Sequence, residues 1–589
     1  MNGSETRKWL RPLIAPLSGT FWEVLTTSFF INIFALAAPI FTMQVYDRVV
    51  FHSGMSTLQG LVVGMVVLLL FEFILKSVRS KTMQTVALRI DVDVGRRLFR
   101  KIMALPMRTL ENRPAPAWQQ LFRDVDTVRN TLSGSSAMLV VDLPFAFLFL
   151  GLVFIIAPPL GWVLLLAMIF FSILAWRAAQ SVSSASEEEK KAIQGRDALV
   201  GEAIIGRSTV KALALDHAVQ PMWEQRTAAA IEESIQRGNR TDRFVNMGAG
   251  FSTFITVAMT TVGAIAVMNQ ELTIGALIAA NMLSGKLLGP MNQLVSQWRN
   301  FSSFRQSVER LGQIFSSEED IQRSAISLSR PKGQITLEKV TYAYGDPTYP
   351  AVNDVSLTLS PGGMTAILGR NGSGKTTLVK LILGLYRPTN GRVLLDMADI
   401  SQFTRRELAT WVGYVPQETI LFNGSIRENI AFGSPHANDE DIIRSATQAG
   451  VHTMILDLPE GYGTSVGEAG MRMSGGMRQR IAIARALVGD PAVLLLDEPS
   501  GSLDRQAEED LKNTLNELAA TRTIVAVTHS PVFLSACRDV VVLDKGKLAA
   551  NGPAKDILPR LMGTPVPAPA SAPAPAPAPA PVAAPSAAP

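Results

Sequence analysis

Residues 365–377 read TAILGRNGSGKTT, an apolar strand followed by a glycine-rich turn and the start of a helix. The turn and the first helical residues fit the pattern G-x-x-x-x-G-K-[ST] in the strand–loop–helix setting that this pattern requires. The glycines let backbone N–H groups converge on phosphate oxygens, and the positive end of the helix adds to the attraction. Lys375 supplies a charge to the β- and γ-phosphates, and the Thr376 hydroxyl ligates Mg²⁺. We therefore predict a nucleotide-binding loop made of Gly369, Arg370, Asn371, Gly372, Ser373, Gly374, Lys375, Thr376 and Thr377.

A second apolar run, residues 493–496, ends in two acidic residues. A buried parallel strand brings the residue at its carboxyl end to the sheet edge where ligands bind, so Asp497 is predicted to ligate Mg²⁺. Glu498 then stands where a carboxylate can polarise an attacking water. Helical stretches alternate with apolar strands from about residue 331 onward, which predicts a soluble α/β domain.

The composition of the whole chain differs from that of a soluble protein. Of 589 residues, 47% are hydrophobic and only 18% are charged, with a mean hydropathy of +0.21, whereas soluble domains usually carry about 25% charged residues. The net charge of +5 over this length argues against nucleic acid as a partner. Cys537 is the only cysteine, which excludes an internal disulfide framework and a cysteine-based zinc site.

The apolar residues concentrate in the first half, in six segments that could each span a bilayer as a helix. The segments are residues 21–45, 58–75, 138–157, 160–176, 245–268 and 272–294. The links between the second and third and between the fourth and fifth segments are long and have a helical pattern, so the membrane helices are expected to continue well into the cytoplasm. Lys and Arg in the N-terminal flank and the first long link predict that both termini are cytoplasmic.

These features predict five regions. They are a cytoplasmic N-terminal segment (1–20), a transmembrane domain with six helices and two long cytoplasmic helical links (21–310), a linker (311–330), a nucleotide-binding domain (331–560) and a disordered Pro/Ala-rich tail (561–589). The predicted fold class is an all-α transmembrane domain fused to an α/β P-loop NTPase domain.

Residues 473–479, MSGGMRQ, complete a set of motifs. With them the chain resembles an ATP-binding-cassette (ABC) exporter over residues 20–560, and Ser474, Gly475 and Gly476 are similar to the centre of the signature motif of that family. The other matches are Tyr344 to the adenine-stacking aromatic residue, Gln417 to the metal-ligating Q-loop glutamine, residues 501–504 to the D-loop and His529 to the switch histidine.

The resemblance implies that Ser474, Gly475 and Gly476 contact ATP held by the phosphate loop of a second subunit. One membrane half and one cassette make half a transporter, so a homodimer or a pairing with a sibling half-transporter is expected. Glu498, His529 and Gln417 would serve hydrolysis, with Thr376, Gln417 and Asp497 on Mg²⁺. Met473, Met477, Gly501 and Ser502 depart from the usual signature and D-loop residues, which leaves coupling between the two sites open.

Three stretches of the membrane half, residues 32–49, 142–145 and 272–275, are similar to type I secretion exporters of the branch that exports proteases and adhesins. Only about twenty residues precede the first segment, so no N-terminal peptidase-like domain is expected. The resemblance implies export of unfolded proteins across the bacterial inner membrane, with a membrane-fusion adaptor and a TolC-like outer-membrane channel as partners.

Other functions remain open at this point. A lipid or drug half-exporter shares every cassette motif, and an ATP-gated channel or regulator is disfavoured because Lys375 and Glu498 are both present. Among polar residues of the membrane half, Glu72 and Lys76 are predicted to form a structural pair at i,i+4, and Asp47 and Arg48 an ion pair at the outer surface. Asn246, Asn281 and Lys286 either line a pore or hold helices together.

Overall fold

The computed structural model describes residues 9–50, 52–320, 329–501 and 503–561. Outside them lie residues 1–8 of the predicted N-terminal segment, 321–328 of the predicted linker, Ser502 of the predicted D-loop and 562–589 of the predicted tail. The chain forms two compact units, which are described separately: Met1–Leu105 with Thr109–Glu319, and Pro106–Arg108 with Asp320–Pro589.

The first unit is built from helices. In chain order the helices up to residue 316 are α1 (Arg11–Ile14), α2 (Ser18–Phe34), α3 (Ala37–Gln44), α4 (Met55–Met103), α5 (Met107–Glu111), α6 (Ala115–Ser133), α7 (Ser135–Asp142), α8 (Phe145–Ile156), α9 (Pro158–Ile205), α10 (Arg207–Ala212), α11 (Asp216–Met268) and α12 (Ile274–Ser316). A 3-10 turn (Ala15–Leu17) and a π-helix (Val45–Val50) adjoin α2 and α3. In the described part of the chain, six helical stretches are long and apolar enough to cross a membrane, which confirms the predicted number.

Helices α4, α9 and α11, and also α12 with its 43 residues, are far longer than a bilayer requires. Helices α4, α9 and α11 contain 49, 48 and 53 residues. At 1.5 Å per residue they extend about 70–80 Å, whereas the hydrocarbon core of a membrane is about 30 Å thick. The predicted helical links are therefore direct continuations of the spanning helices.

Apolar packing and buried ion pairs hold these helices together. Helices α9, α11 and α12 share a core in which Phe171, Met259 and Leu283 are fully buried. Farther along the helices, Asp124 on α6 is 1% exposed and accepts two hydrogen bonds from Arg310 on α12, at 2.6 and 2.7 Å. This bidentate pair fixes α6 against α12.

Four of the polar residues singled out in the membrane half, Glu72, Lys76, Asn281 and Asp47, have defined side-chain partners. Lys76 Nζ lies 2.5 Å from Glu72 Oε1, which confirms the structural pair. Asn281 donates to the Thr260 hydroxyl at 3.2 Å and so joins α12 to α11. The predicted ion pair of Asp47 with Arg48 is wrong: the Asp47 carboxylate instead accepts bonds at the start of α12. Its donors are Thr273 Oγ1 at 2.7 Å and Gly275 N at 2.9 Å, because the π-helix brings Asp47 to that helix terminus.

The second unit contains two sheets. Its strands are β1 (Ile335–Tyr342), β2 (Val352–Leu359), β3 (Gly363–Gly369), β4 (Asn390–Leu395), β5 (Ala398–Asp399), β6 (Val412–Val415), β7 (Val493–Asp497), β8 (Thr523–Val527), β9 (Asp539–Asp544) and β10 (Lys547–Pro553). An antiparallel sheet has the order β2-β1-β4-β5, and a mainly parallel sheet has the order β10-β9-β3-β8-β7-β6. The predicted apolar strands β3 and β7 lie inside the parallel sheet, and every residue of β7 is buried.

The described residues of the second unit also form helices. They are α13 (Lys375–Ile382), α14 (Arg405–Trp411), α15 (Ile426–Ala431), α16 (Asp439–Gln448), α17 (His452–Leu456), α18 (Gly475–Leu487), α19 (Arg505–Ala519), α20 (Pro531–Leu534) and α21 (Ala554–Leu561). Because β3, β7 and β8 are parallel neighbours, their carboxyl ends meet at one edge, where ligands of such sheets bind.

Candidate nucleotide-binding site

The loop between β3 and α13 depends on glycine at two positions. Gly369 and Gly374 have φ values of +153° and +98°, a region that L-residues rarely adopt. A Cβ at Gly374 would lie 2.3 Å from the Ala351 carbonyl oxygen, and a Cβ at Gly369 would lie 2.4 Å from that of Leu543. The glycines of the predicted motif thus allow the backbone to turn tightly between β3 and α13.

The Lys375 ammonium lies at the centre of this loop. It donates to the carbonyl oxygens of Gly369 at 2.8 Å and Arg370 at 3.2 Å. Because Lys375 is the first residue of α13, its charge adds to the positive end of the helix. The loop therefore concentrates positive charge beside its backbone N–H groups.

A cavity of about 460 Å³ opens beside the loop, a size suited to a small-molecule ligand. Its lining includes ten of the residues predicted from sequence: Tyr344, Asn371, Gly372, Gly374, Lys375, Thr376, Thr377, Gln417, Asp497 and Glu498. The lining does not include Gly369, Arg370 or Ser373. The carbonyl oxygens of Gly369 and Arg370 nevertheless accept hydrogen bonds from Lys375. Ala351 and Val527 line it without having been predicted. Val527 ends β8 directly beside Asp497 in the parallel register, and that adjacency was the signal available for it.

Asp497 is the buried acid of the site. It is 1% exposed, and neither carboxylate oxygen has a well-formed hydrogen bond. Burial raises the pKa of Asp497, and the nearby Thr376 hydroxyl and the charges of Lys375 and Lys380 oppose that rise. A buried carboxylate without a well-placed donor, next to a hydroxyl, fits a hard divalent cation such as Mg²⁺. Among the described residues, no group of three or more His, Cys, Asp or Glu side chains is placed to hold a metal ion. The predicted magnesium ligands are of another kind: one hydroxyl (Thr376), one amide (Gln417) and one carboxylate (Asp497).

Glu498 follows β7 in a left-handed backbone conformation, with a φ of +49°. Its N–H donates to the Val527 carbonyl at 2.9 Å, and its side chain lines the cavity. Non-glycine residues in this conformation cost free energy and occur often at functional sites. The His529 Nε2 atom lies 3.9 Å from Glu498 Oε1, outside the cavity lining. The structure therefore brings the two residues predicted for hydrolysis close together.

Tyr344 is an exposed aromatic residue of the cavity lining. Its hydroxyl lies 3.0 Å from Thr377 Oγ1, and its ring packs edge-on against Tyr342 and Tyr386. The residue is 47% exposed and lines the cavity, a placement suited to stacking on a planar ligand. Arg108, which belongs to the same compact unit, donates to the Tyr344 carbonyl at 2.8 Å, a contact that the sequence did not indicate.

The signature residues lie apart from this cavity. Ser474 caps α18, its hydroxyl accepting from the Met477 N–H at 3.3 Å, and Gly475 and Gly476 form the first turn. None of the three lines the cavity of their own chain. In the predicted D-loop, Asp504 caps α19 and likewise lies outside the cavity lining.

Family comparisons match both units. The profile of the family described as ABC transporter matches residues 352–501, and that of the ABC transporter transmembrane region matches residues 21–291. A solved structure of a bacterial Atm1-family ABC exporter with ATP bound has the same fold, with a TM-score of 0.82 and 23% identity over 92% of this chain and 97% of that one.

Curated relatives extend the match along the chain. The toxin RTX-I translocation ATP-binding protein of Actinobacillus pleuropneumoniae is 34% identical over 93% of this chain and 78% of its own length. The exotoxin translocation ATP-binding protein of Pasteurella aerogenes is 33% identical over 93% of this chain and 77% of its own length. The chain therefore belongs to the ABC transporters, as a multi-pass membrane protein with an ATP-hydrolysing domain, and within them to the type I secretion ATPase/permeases that these relatives represent.

Proposed function

We propose that this chain is the ATPase and permease of a type I secretion system and exports unfolded proteins across the bacterial inner membrane. The observation that carries the proposal is a cavity that gathers Lys375, Asp497 and Glu498 on a chain with six membrane-spanning helices. The relatives named as toxin-translocation proteins match both halves, which supports a protein as cargo.

Hydrolysis would use the residues around the cavity in distinct roles. Tyr344 stacks on the adenine, the loop N–H groups and Lys375 bind the phosphates, and Glu498 polarises the attacking water. His529 helps to orient the reacting groups from its position beside Glu498. Mg²⁺ would be held by Thr376, Gln417 and Asp497, and it would neutralise charge on the phosphates. The buried Asp497 carboxylate, which lacks a well-formed hydrogen bond, supports this assignment.

We further propose that the working unit is a dimer, either a homodimer or a pairing with a sibling half-transporter. Ser474, Gly475 and Gly476 present the start of α18 away from the cavity of their own chain. A helix start with a serine cap and two glycines suits phosphate binding, and a second copy would supply the phosphates. ATP would then hold two cassettes together, and hydrolysis would release them.

The distribution of basic residues supports an inner-membrane orientation with both termini in the cytoplasm. A membrane-fusion adaptor and a TolC-like outer-membrane channel would complete the path of the cargo to the outside. The resemblance to type I secretion exporters implies these partners, and the relatives are named for the translocation of a toxin and of an exotoxin.

A comparison of the proteins in the culture medium tests the proposal whatever the cargo is. In the source bacterium, Glu498→Gln should remove one or a few proteins from the medium, and deletion of the adaptor should remove the same ones. Glu517→Gln, which alters an exposed carboxylate on α19, serves as the control. An unchanged set of secreted proteins together with altered lipid export or drug resistance would instead establish a lipid or drug half-exporter.

A further inference from the structure

The segment that follows Gln417 is fastened to the helix that carries the signature motif. Gln417 lines the nucleotide cavity, and two residues later the Thr419 hydroxyl donates to Gln479 Oε1 at 3.0 Å. Gln479 belongs to α18, which begins directly after Ser474. One side-chain hydrogen bond therefore joins the loop at the cavity to the signature helix of the same chain.

A second contact reinforces the first. Both terminal nitrogens of Arg485, also on α18, donate to the carbonyl oxygen of Ile420 at 3.2 Å. Consecutive residues of the loop are thus bound to one helix, the first through a side chain and the second through the backbone. A loop held at two adjacent points moves with that helix rather than independently of it.

The Gln479 side chain has an additional property. It is only 4% exposed, and its Nε2 atom is buried without a hydrogen-bond partner among the described residues. A buried donor without an acceptor costs free energy, so packing alone would favour an apolar residue at this position. The carboxamide is thus retained at a cost, and what it contributes is the bond that its oxygen accepts from Thr419.

We propose that Gln479 is a positioning residue for ATP hydrolysis: through Thr419 it makes the Gln417 loop and the signature motif move as one body. The inference rests on the proposed dimer, because the signature residues then act on the nucleotide of the partner. Occupation of one cavity shifts Gln417, and the Thr419–Gln479 bond transfers that shift to Ser474 at the other cavity. Arg485 supports the same connection through Ile420.

The test uses the full-length protein in lipid nanodiscs, four variants of the Thr419–Gln479 pair and one control variant. Thr419→Val and Gln479→Leu each remove the bond with little change in volume, and the double variant removes both partners. Thr419→Ser keeps the hydroxyl. Thr447→Val is the control, because Thr447 lies on the exposed face of α16 and its hydroxyl donates only to the Ile443 carbonyl of the same helix. The measurements are kcat, KM, the dissociation constant of a fluorescent ATP analogue and the thermal midpoint.

The expected result is a split between chemistry and binding. Thr419→Val and Gln479→Leu should each lower kcat by about tenfold, the effect of one hydrogen bond, with the dissociation constant of the analogue unchanged. The double variant should be no slower than the singles, because all three lose the same bond. Thr419→Ser should restore kcat, and Thr447→Val should match the wild type.

Three results would overturn the inference: wild-type kcat in Thr419→Val, multiplied losses in the double variant, or a fall in kcat that follows the thermal midpoint in every variant. The Glu498→Gln variant, assayed beside them, separates this inference from the proposed function. If Glu498→Gln hydrolyses ATP normally, the hydrolytic assignment fails. If it is inactive while Thr419→Val behaves as wild type, only the role of Gln479 fails.

Discussion

Replacement of Glu498 by glutamine removes one charge and almost nothing else. The backbone N–H of this residue keeps its 2.9 Å bond to Val527, because the substitution leaves the main chain unchanged. Lys375 keeps its bonds to the phosphate loop. The cavity should therefore bind nucleotide as before, and only the ability to polarise water should be lost.

The size of the effect follows from the role assigned to the carboxylate. A positioned general base contributes about 10²–10⁴-fold to a rate, which corresponds to about 3–5 kcal/mol of barrier. His529, whose Nε2 lies 3.9 Å from Glu498, stands outside the cavity lining and is not expected to replace the base. We expect kcat to fall by at least about a hundredfold with nucleotide affinity unchanged.

Phosphate release at saturating MgATP measures kcat, and displacement of a fluorescent nucleotide measures nucleotide affinity. Glu517→Gln is the matched control, since the same chemical change is made on an exposed face of α19. Hydrolysis at the wild-type rate in Glu498→Gln would refute the assignment of the base. A large loss of nucleotide affinity would instead show that the carboxylate serves binding.

Three further substitutions test other parts of the structure. Burial raises the pKa of Asp497, so the protonated carboxyl stabilises the folded state relative to the ionised one. This stabilisation is complete below the ordinary pKa of 3.8 and is lost as the pH rises through the raised pKa. Asp497→Asn should therefore raise the thermal midpoint of the nucleotide-free protein at pH 7 and remove the further rise caused by MgATP; a lowered midpoint contradicts this. Gly374→Ala places a Cβ 2.3 Å from the Ala351 carbonyl and should abolish binding of the fluorescent nucleotide, so retained affinity would argue against the tight turn. Arg310→Leu leaves Asp124 buried and short of donors, and should cost about 3–5 kcal/mol of unfolding free energy, more than the double replacement of both residues by leucine. Denaturant titration in mixed micelles measures the unfolding free energy of both variants, and equal losses in the single and double variants would contradict the prediction.

Local patterns explain why so much of the fold was predictable. The apolar run before Asp497 became β7, with every residue buried, and the glycine-rich turn became the loop before α13. Both signals lie within about fifteen consecutive residues, where side-chain periodicity and backbone preference act together. The long helical links were predictable for the same reason, because α9 and α11 keep a helical pattern throughout.

Contacts between distant residues were not predictable in this way. Asp47 accepts hydrogen bonds from Thr273 and Gly275, more than two hundred positions along the chain, so its neighbour Arg48 was the only partner that the sequence suggested. Thr419 and Gln479 are likewise 60 residues apart. A hydrogen bond between side chains leaves no periodic trace, and only the packing of the elements that carry them decides whether they meet.

The departures from the signature pattern have a physical explanation in the packing of α18. Met477 is 7% exposed and packs in the apolar core beside α18, while its backbone N–H binds the Ser474 hydroxyl. A glutamine in that environment would bury an amide, at a cost of about 1–3 kcal/mol for each group left unpaired. What a helix start offers to phosphate is its N–H groups and a serine hydroxyl, and the exchange to methionine leaves these in place.

At Gly501, in the predicted D-loop, the situation differs, since a Cβ would make only an ordinary 3.6 Å contact with the Glu498 carbonyl. Space therefore does not require glycine at position 501. Glycine does give the backbone after Glu498 more conformational freedom than another residue would. Any difference in coupling between two cassettes, compared with exporters that have the usual D-loop, would arise from that freedom.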